Sequence, residues 1–207
     1  MTTGDSIDRV VSGGLDRVTV WPDGTMTSAA PLPAAVLPGS FNPVHEGHLL
    51  LARVAEDIVH APIVFELSVT NVDKPPLEAG EVRRRVAQFA SRATVELTRA
   101  PTFLEKSRLF PGATFVVGAD TAERLVATRY YGGAEERMVA ALQEIADRGC
   151  RFLVAVRADA ASHVCSLADV AVPPRFAHLF TPIPESRFRL DTSSSDIRAR
   201  RQTTGGS

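Results

Sequence analysis

Two histidines in a turn-rich segment are the first feature of the sequence that could do chemistry. His45 and His48 lie three positions apart within VLPGSFNPVHEGHLLLA, residues 36–52, beside two glycines and two prolines. An imidazole can donate a hydrogen bond to a phosphate oxygen and can carry charge near neutral pH. Such histidines could instead cap a helix or fill a polar crevice, and one histidine alone would favour that interpretation. Two that flank a glycine between an apolar run and a helical pattern favour a functional site.

The elements around this segment would aim its polar groups at an anion. The apolar run before it is typical of a short buried strand, and residues 47–60 have apolar side chains at helical spacing. A strand that turns into a helix directs backbone amides and the positive end of the helix dipole to one point. Gly39 permits a close approach of the backbone to a ligand. This arrangement predicts a phosphate site.

The rest of the chain alternates between strand and helix patterns. Such alternation predicts an α/β fold: a Rossmann-like, open, mostly parallel sheet with helices on both faces. RVTVWPDGTMTSAA, residues 17–30, adds an N-terminal β-hairpin extension around a Pro-Asp-Gly turn. We expect an extension over 1–35, one domain over 36–201 and a mobile tail over 202–207. Further strands are predicted at 61–69, 93–100, 113–120, 150–157 and 175–183, and further helices at 78–93, 101–111, 134–149 and 193–201.

Ligands of open α/β sheets bind beyond the carboxyl ends of the strands. At those ends the sequence offers Lys74 in NVDKPPL, the pair Gly118 and Asp120 in FVVGAD, and the serine-rich TSSSDIR at 192–198. Lysine is a mobile point charge suited to phosphate, and the serines could cap a helix or donate to phosphate. Asp120 could equally cap a helix that begins at Thr121. Tyr130 and Tyr131 could stack on a base or a nicotinamide-like ring, although aromatic side chains more often pack.

Taken together, these segments resemble a known family. GSFNPVHEGH is similar to the GxFxPxHxGH signature of the nucleotidyltransferase superfamily, which includes nicotinate and nicotinamide mononucleotide adenylyltransferases, phosphopantetheine adenylyltransferase and cytidylyltransferases. Asn42 stands where the family often has aspartate. TSSSDIR resembles the second signature, (I)SSTxIR, with Thr192 and Ser195 as conservative changes. FVVGAD and Lys74 also match in order, so the resemblance covers about Val36 to Arg198.

The resemblance implies how these residues would act. His45 and His48 would serve the α- and β-phosphates in the transition state, and Asp120 with Gly118 would hold the nucleoside ribose. A phosphate oxygen of an acceptor would attack the α-phosphorus, pyrophosphate would leave, and no covalent enzyme intermediate would form. The expected catalytic residues are His45, His48, Lys74 and Arg198. The expected nucleotide and phosphate ligands are Gly39, Ser40, Phe41, Gly47, Gly118, Asp120, Ser193, Ser194 and Ser195.

The expected function is adenylyl transfer from ATP to nicotinamide or nicotinate mononucleotide. The combination of GSFNP, GAD and SSSDIR resembles the adenylyl branch more than the cytidylyl branch. Adenylyl or cytidylyl transfer to a phosphopantetheine-like or phosphosugar-like acceptor stays open, as does a non-catalytic nucleotide-binding module. Magnesium is expected on the triphosphate rather than on the protein, because the strand ends offer no cluster of carboxylates.

Composition narrows the partners and the compartment. A net charge of −1 gives no overall attraction to nucleic acid or to anionic membranes. Cys150 and Cys165 form neither a disulfide framework nor a zinc motif, so a reducing cytoplasm is expected. The N-terminal residues lack the apolar core of a signal peptide, and the apolar runs are too short to span a bilayer. The sequence leaves a homo-oligomer open.

Overall fold

The computed structural model describes residues 3–72, 75–158 and 164–190. Helices and strands alternate through most of this part of the chain. The strands are β1 (Arg17–Val20), β2 (Met26–Thr27), β3 (Ala35–Pro38), β4 (Ile63–Ser68), β5 (Val95–Thr98), β6 (Thr114–Gly118), β7 (Arg151–Ala158), β8 (Val164–Cys165), β9 (Phe180–Pro182) and β10 (Arg189–Leu190). The α-helices are α1 (Thr3–Ser12), α2 (Glu46–Val59), α3 (Ala79–Val86), α4 (Phe103–Leu109), α5 (Ala119–Val126) and α6 (Glu135–Asp147).

One sheet organises these elements, and its order is β10-β7-β6-β3-β4-β5-β1-β2. The five central strands in this order, β7, β6, β3, β4 and β5, run parallel. β8 and β9 also pair with β7. The chain builds outward from β3 to β5, then returns to place β6 on the other side of β3. This reversal makes the carboxyl ends of β3 and β6 a topological switch point, where open α/β sheets bind ligands.

Both faces of the sheet are buried, as predicted. Ala35 and Leu37 pack into a core with α1, α2 and α3, whereas Val36 between them packs into a second core with α5 and α6. Because successive side chains of a strand point to opposite faces, an apolar run without alternation fills both cores. The Rossmann-like α/β prediction is confirmed.

The predicted hairpin extends this sheet. β1 pairs antiparallel with β2 on one side and with β5 on the other. Its turn is closed by a hydrogen bond from Trp21 N–H to the Thr25 carbonyl, and Gly24 has a φ of 84° that suits glycine. Asp23 accepts from both the backbone and the hydroxyl of Thr25.

Most elements are a few residues shorter than expected, and three differ more clearly. The helix expected over 78–93 ends earlier, with a 3-10 turn at Ala87–Phe89, and Ser91 then adopts a left-handed φ of 59°. The strand expected at 175–183 is mostly a 3-10 helix, Pro174–Leu179, because proline favours a helix start and cannot donate to a strand. α5 begins at Ala119, so Asp120 lies inside its first turn instead of preceding it.

The helix expected at 193–201 and the tail at 202–207 lie outside the described residues. Among the helices that the structure describes, none combines the length and the apolar character that crossing a membrane requires.

Candidate active site

Two predicted motifs meet at the switch point. β3 and β6 lie side by side, with Ala35 opposite Thr114 and Val36 opposite Phe115. The turn after β3 leads into α2, and β6 leads directly into α5. Both helices therefore present their N-termini at the same edge of the sheet. The histidine motif and the Gly-Ala-Asp motif are brought together there, which creates an anion-binding environment.

The geometry of the two histidines leaves the Nε2–H group of His48 as a hydrogen-bond donor for a ligand. His45 is the N-cap of α2, and its backbone N–H donates to Nδ1 of His48 across 3.2 Å. The two ring centroids are 3.8 Å apart. Because Nδ1 of His48 accepts a hydrogen bond, the neutral ring carries its proton on Nε2. His48 can thus donate from Nε2 to a ligand oxygen.

Burial keeps both imidazoles neutral. Desolvation, followed by the nearby His45, lowers the pKa of His48 to about 3, and desolvation also lowers the pKa of His45. An imidazole can carry charge near neutral pH, but burial shifts the pKa of both histidines in the direction of the neutral form. They are neutral hydrogen-bond donors, and the positive potential comes from the helix N-termini.

Phe41 is a core residue inside the turn. It is fully buried with a φ of 44°, and its ring centroid lies 5.1 Å from His48, 5.4 Å from Phe65 and 5.2 Å from Phe89. A Cβ atom at Gly39 would lie 2.6 Å from the Phe41 ring. Glycine at this position therefore makes space for the phenyl ring, a demand that the sequence alone did not show. Phe41 can offer a ligand only its backbone.

Helix α3 holds the turn from the side through three polar residues that the sequence analysis did not single out. Arg85 Nη1 donates to the Ser40 carbonyl at 2.8 Å. Gln88, in the 3-10 turn that continues α3, donates to the Phe41 carbonyl and accepts from the Val44 N–H, both at 3.0 Å. These bonds leave the exposed hydroxyl of Ser40 available to a ligand. The third residue, Arg84, donates to Oδ1 of Asn42 at 2.7 Å.

A carboxylate orients both arginines of this group. Glu81 accepts from Arg84 and Arg85, with the nearest contacts at 2.6 Å and 2.7 Å. The hydrogen bond from Arg84 lowers the pKa of Glu81 most, Arg85 adds to the effect, and the pKa falls to about 2. Glu81 is therefore ionised at neutral pH and keeps the two guanidinium groups directed at the turn. The RRRVAQF segment was the available signal, since it places several donors on one short helix.

The turn after β6 is shorter. Gly118 is the N-cap of α5, and Asp120 is half-buried in the first turn of that helix. A Cβ atom at Gly118 would lie 2.7 Å from Oδ1 of Asp120. The glycine thus permits the position of the carboxylate, which lies at the positive end of the α5 dipole.

Comparison with protein families matches residues 36–200 to the cytidylyltransferase-like family. The chain belongs to this family. The match covers most of the chain and agrees with the resemblance to the nucleotidyltransferase superfamily that includes the mononucleotide adenylyltransferases. This cytidylyltransferase-like protein is a nucleotidyltransferase, an enzyme class that acts on a nucleotide and a small acceptor. Comparison with curated proteins gave no significant match.

A cavity of about 660 Å³ opens beside α5 in this cytidylyltransferase-like protein. Tyr130, with 38% of its surface exposed, contributes an aromatic ring to its wall. Arg124 and Arg137 also line it, and among the described residues neither forms an ion pair. The other wall residues come from the loops after β4 and β5, from α4, α5 and α6, and from the 3-10 turn Thr128–Tyr131: Asn71, Val72, Pro101, Thr102, Phe103, Leu104, Thr121, Leu125, Tyr131, Ala140, Ala141 and Glu144.

The charge of this cavity is positive. Its carboxylate, Glu144, already accepts from Arg108 at 2.7 Å and from Arg148 at 2.9 Å. These two arginines, Arg108 first, lower the pKa of Glu144 to about 2. The guanidinium of Arg124 lies 5.9 Å from the Tyr130 ring centroid. A ring that bears an anionic group would find complementary chemistry here.

Several predicted residues of the cytidylyltransferase-like site lie outside the described part of the chain: Lys74, Ser193, Ser194, Ser195 and Arg198. Gly47 is half-buried in the first turn of α2, between the two histidines. In the ranges that the structure describes, no group of three or more His, Cys, Asp or Glu side chains is arranged to hold a metal ion.

Proposed function

We propose that the protein transfers the adenylyl group of ATP to nicotinamide or nicotinate mononucleotide and releases pyrophosphate. One observation carries this proposal: a neutral His48 with its Nε2 proton available, at the switch point where α2 and α5 begin. Amides, helix dipoles and imidazole N–H groups together suit the developing negative charge of a transferring phosphoryl group.

The chemical step is an in-line displacement. A phosphate oxygen of the acceptor forms a bond to the α-phosphorus of ATP, and the bond from that phosphorus to the bridging oxygen breaks. The electron pair leaves with pyrophosphate. His48 and His45 donate hydrogen bonds to the phosphate oxygens as charge develops, and the backbone of residues 39–41 with the Ser40 hydroxyl holds the phosphates. Catalysis then rests on positioning and electrostatic stabilisation.

The remaining groups of the triphosphate site are assigned by the motifs. Lys74 assists at the phosphates, Ser193, Ser194 and Ser195 surround the β- and γ-phosphates, and Arg198 donates its forked guanidinium to them. Asp120 accepts from the ribose. Mg²⁺, bound by the oxygens of the triphosphate, supplies the neutralising charge that nucleotidyl transfer needs.

The cavity beside α5 supports a mononucleotide as the acceptor. Its volume of about 660 Å³ lies within the range of small-molecule sites. Tyr130 and Phe103 offer aromatic surface to a pyridine ring, and Arg124 and Arg137 offer donors to phosphate or carboxylate groups. Thr121 in its wall directly follows Asp120, so the cavity adjoins the proposed nucleoside site.

Pyrophosphate release from all pairs of ATP or CTP with a panel of acceptors tests the proposal. The panel contains nicotinamide mononucleotide, nicotinate mononucleotide, phosphopantetheine and phosphocholine. We expect the highest kcat/KM with ATP and one of the two mononucleotides. A higher value with CTP or with another acceptor would overturn the assigned substrates. Tight nucleotide binding in calorimetry without pyrophosphate from any pair would identify a non-catalytic module instead.

A further inference from the structure

A buried ion pair outside the histidine site joins β4 to α4. Glu66 in β4 is 1% exposed and Lys106 in α4 is 5% exposed. Lys106 Nζ donates to both carboxylate oxygens of Glu66 at 2.8 Å and to the Ala100 carbonyl at 2.7 Å. Removing two charges from water is costly, so such a pair does not by itself indicate extra stability. The role of the pair is therefore sought in the groups that it holds in place.

The pair anchors both peptide groups of Ala100. The Ala100 carbonyl accepts from Lys106, and the Ala100 N–H donates to the Thr98 hydroxyl oxygen at 3.3 Å. That hydroxyl in turn donates to the carboxylate of Glu66. Residues 101–104, which follow immediately, form one wall of the cavity beside α5. Glu66 thus fixes, by two routes, the point where the chain leaves β5 and enters that wall.

Glu66 also contacts the phosphate turn. Its backbone carbonyl accepts from the Gly39 N–H at 2.9 Å. One residue therefore lies at the base of the histidine turn through its backbone and at the base of the cavity wall through its side chain. Such an arrangement fixes the distance between the two.

We infer that Lys106 and Glu66 are positioning residues for the acceptor. They touch no substrate, and they act by holding residues 101–104 in the geometry that binds the acceptor. This inference rests on the proposed function, because it takes the acceptor as the occupant of the cavity. Small displacements of a binding wall reduce the productive alignment of reactants.

A second ion pair, between the buried Glu96 and the half-buried Arg17, provides a control. Glu96 in β5 is the register partner of Glu66 and is also 1% exposed. It accepts from Arg17 at 3.1 Å and from the Thr19 hydroxyl, and Arg17 also donates to the Ala30 carbonyl at 2.6 Å. These contacts lead to the N-terminal hairpin instead of to the cavity. The two carboxylates lie on one sheet face and are equally buried, whereas the side chain of Arg17 is 16% exposed and that of Lys106 is 6% exposed. The two pairs differ in what they hold.

The experiment compares two double variants, Lys106→Met/Glu66→Gln and Arg17→Met/Glu96→Gln. Removing both charges of a pair avoids leaving one charge buried alone. For the first variant we expect the KM and the calorimetric Kd for the mononucleotide to rise about tenfold, with kcat and the KM for ATP within about threefold. For the second variant we expect the acceptor KM to stay at the wild-type value. Hydrogen exchange at the amides of residues 102–106 should accelerate in the first variant alone.

The results that would overturn the positioning role differ from those that would refute the proposed function. An equal rise of acceptor KM in both variants, an equal rise of the KM for ATP, or unchanged exchange at residues 102–106 would each overturn the positioning role. A wild-type protein that neither binds nor adenylylates a mononucleotide would refute the proposed function instead. Hydrogen exchange would then still show whether the Lys106–Glu66 pair holds the wall.

Discussion

The two strand-to-helix turns at the switch point are stabilised in different ways. The turn after β3 is long, contains a buried phenyl ring, and is held by hydrogen bonds from Arg84, Arg85 and Gln88. The turn after β6 has no intervening residues, because Gly118 ends the strand and caps the helix. The absence of a Cβ at Gly118 leaves room for the Asp120 carboxylate.

This difference separates the residues that present chemical groups to a ligand from the neighbouring residues that hold the turn in place. A turn that must present two imidazoles and several amides at once cannot satisfy its own carbonyl groups, so a neighbouring helix supplies the donors. The second turn presents one carboxylate at a helix N-terminus, and the small residue at position 118 leaves room for it. The first turn should therefore be sensitive to distant substitutions and the second should not.

The largest effect should come from the chemistry of the first turn. His48→Ala removes the Nε2–H donor and should lower turnover by about 10²–10⁴, the typical loss for one key electrostatic or acid–base group. Asp120→Asn in the second turn should raise the KM for ATP by about tenfold. The assay is pyrophosphate release, and His60→Asn at the exposed C-cap of α2 is the control. Wild-type turnover in His48→Ala would refute the assignment of the catalytic turn.

Alanine substitutions at Gly39 and Gly118 should lower the free energy of unfolding by different amounts. Gly39→Ala places a methyl group against a buried ring that cannot move, so we expect a loss of about 1–3 kcal/mol in the free energy of unfolding. In Gly118→Ala the added methyl group meets the end of the Asp120 side chain instead of a packed ring, so the loss should stay below about 1 kcal/mol. Urea denaturation measures both. Equal losses would mean that the second turn is packed as rigidly as the first.

Protonation should destabilise the first turn. Since the pKa of His48 is lowered from 6.5 to about 3, the unfolded chain binds more protons than the folded protein between these pH values. The contribution of neutral His48 is complete above pH 6.5 and is lost as the pH falls toward 3. We expect the free energy of unfolding to drop by roughly 2 kcal/mol between pH 6.5 and about pH 4.5 through this group. Urea denaturation of wild type and His48→Asn should show a shallower pH slope in the variant, and identical slopes would argue against a desolvated His48.

The remote support of the first turn should have the smallest effect. Gln88→Leu removes the donor to the Phe41 carbonyl and the acceptor for the Val44 N–H, so kcat/KM should fall about three- to tenfold. Gln143→Leu on α6 removes an exposed glutamine whose side chain, within the described part of the chain, bonds Asp147, and its kcat/KM should match wild type. If the two variants behave alike, the turn does not depend on its neighbouring helix.

Local patterns account for what could be predicted from the sequence. The alternation of strands and helices, the hairpin around Gly24, and the meeting of the histidine turn with Gly118 and Asp120 each follow from short-range spacing and the βαβ topology. The neutral state of His48 could not be predicted, because desolvation depends on the residues that cover it. The Gln88 contacts join positions 44 residues or more apart. Helical and strand periodicity relate residues only a few positions apart, so they cannot predict such contacts.

Besides the RRRVAQF segment, Glu66 is a signal in the sequence. Glu66 interrupts an apolar strand, IVFELS, whose neighbours are buried. A carboxylate in such a strand requires a partner. The α4 segment offered Lys106, but helical phase alone did not show that its Nζ reaches both Glu66 and Ala100. Packing angles between helix and sheet decide that reach, and they emerge only from the assembled fold.

The N-terminal hairpin determines where a shortened form of this domain can begin. The matched family segment begins at residue 36, yet β5 hydrogen-bonds β1 along its outer side, and Arg17 and Thr19 supply the described partners of Glu96. A fragment that started at residue 36 would expose an unpaired parallel edge strand and an unneutralised carboxylate. Exposed strand edges recruit other chains and promote aggregation. The hairpin therefore covers the outer edge of β5, and we expect a fragment that lacks residues 1–35 to aggregate.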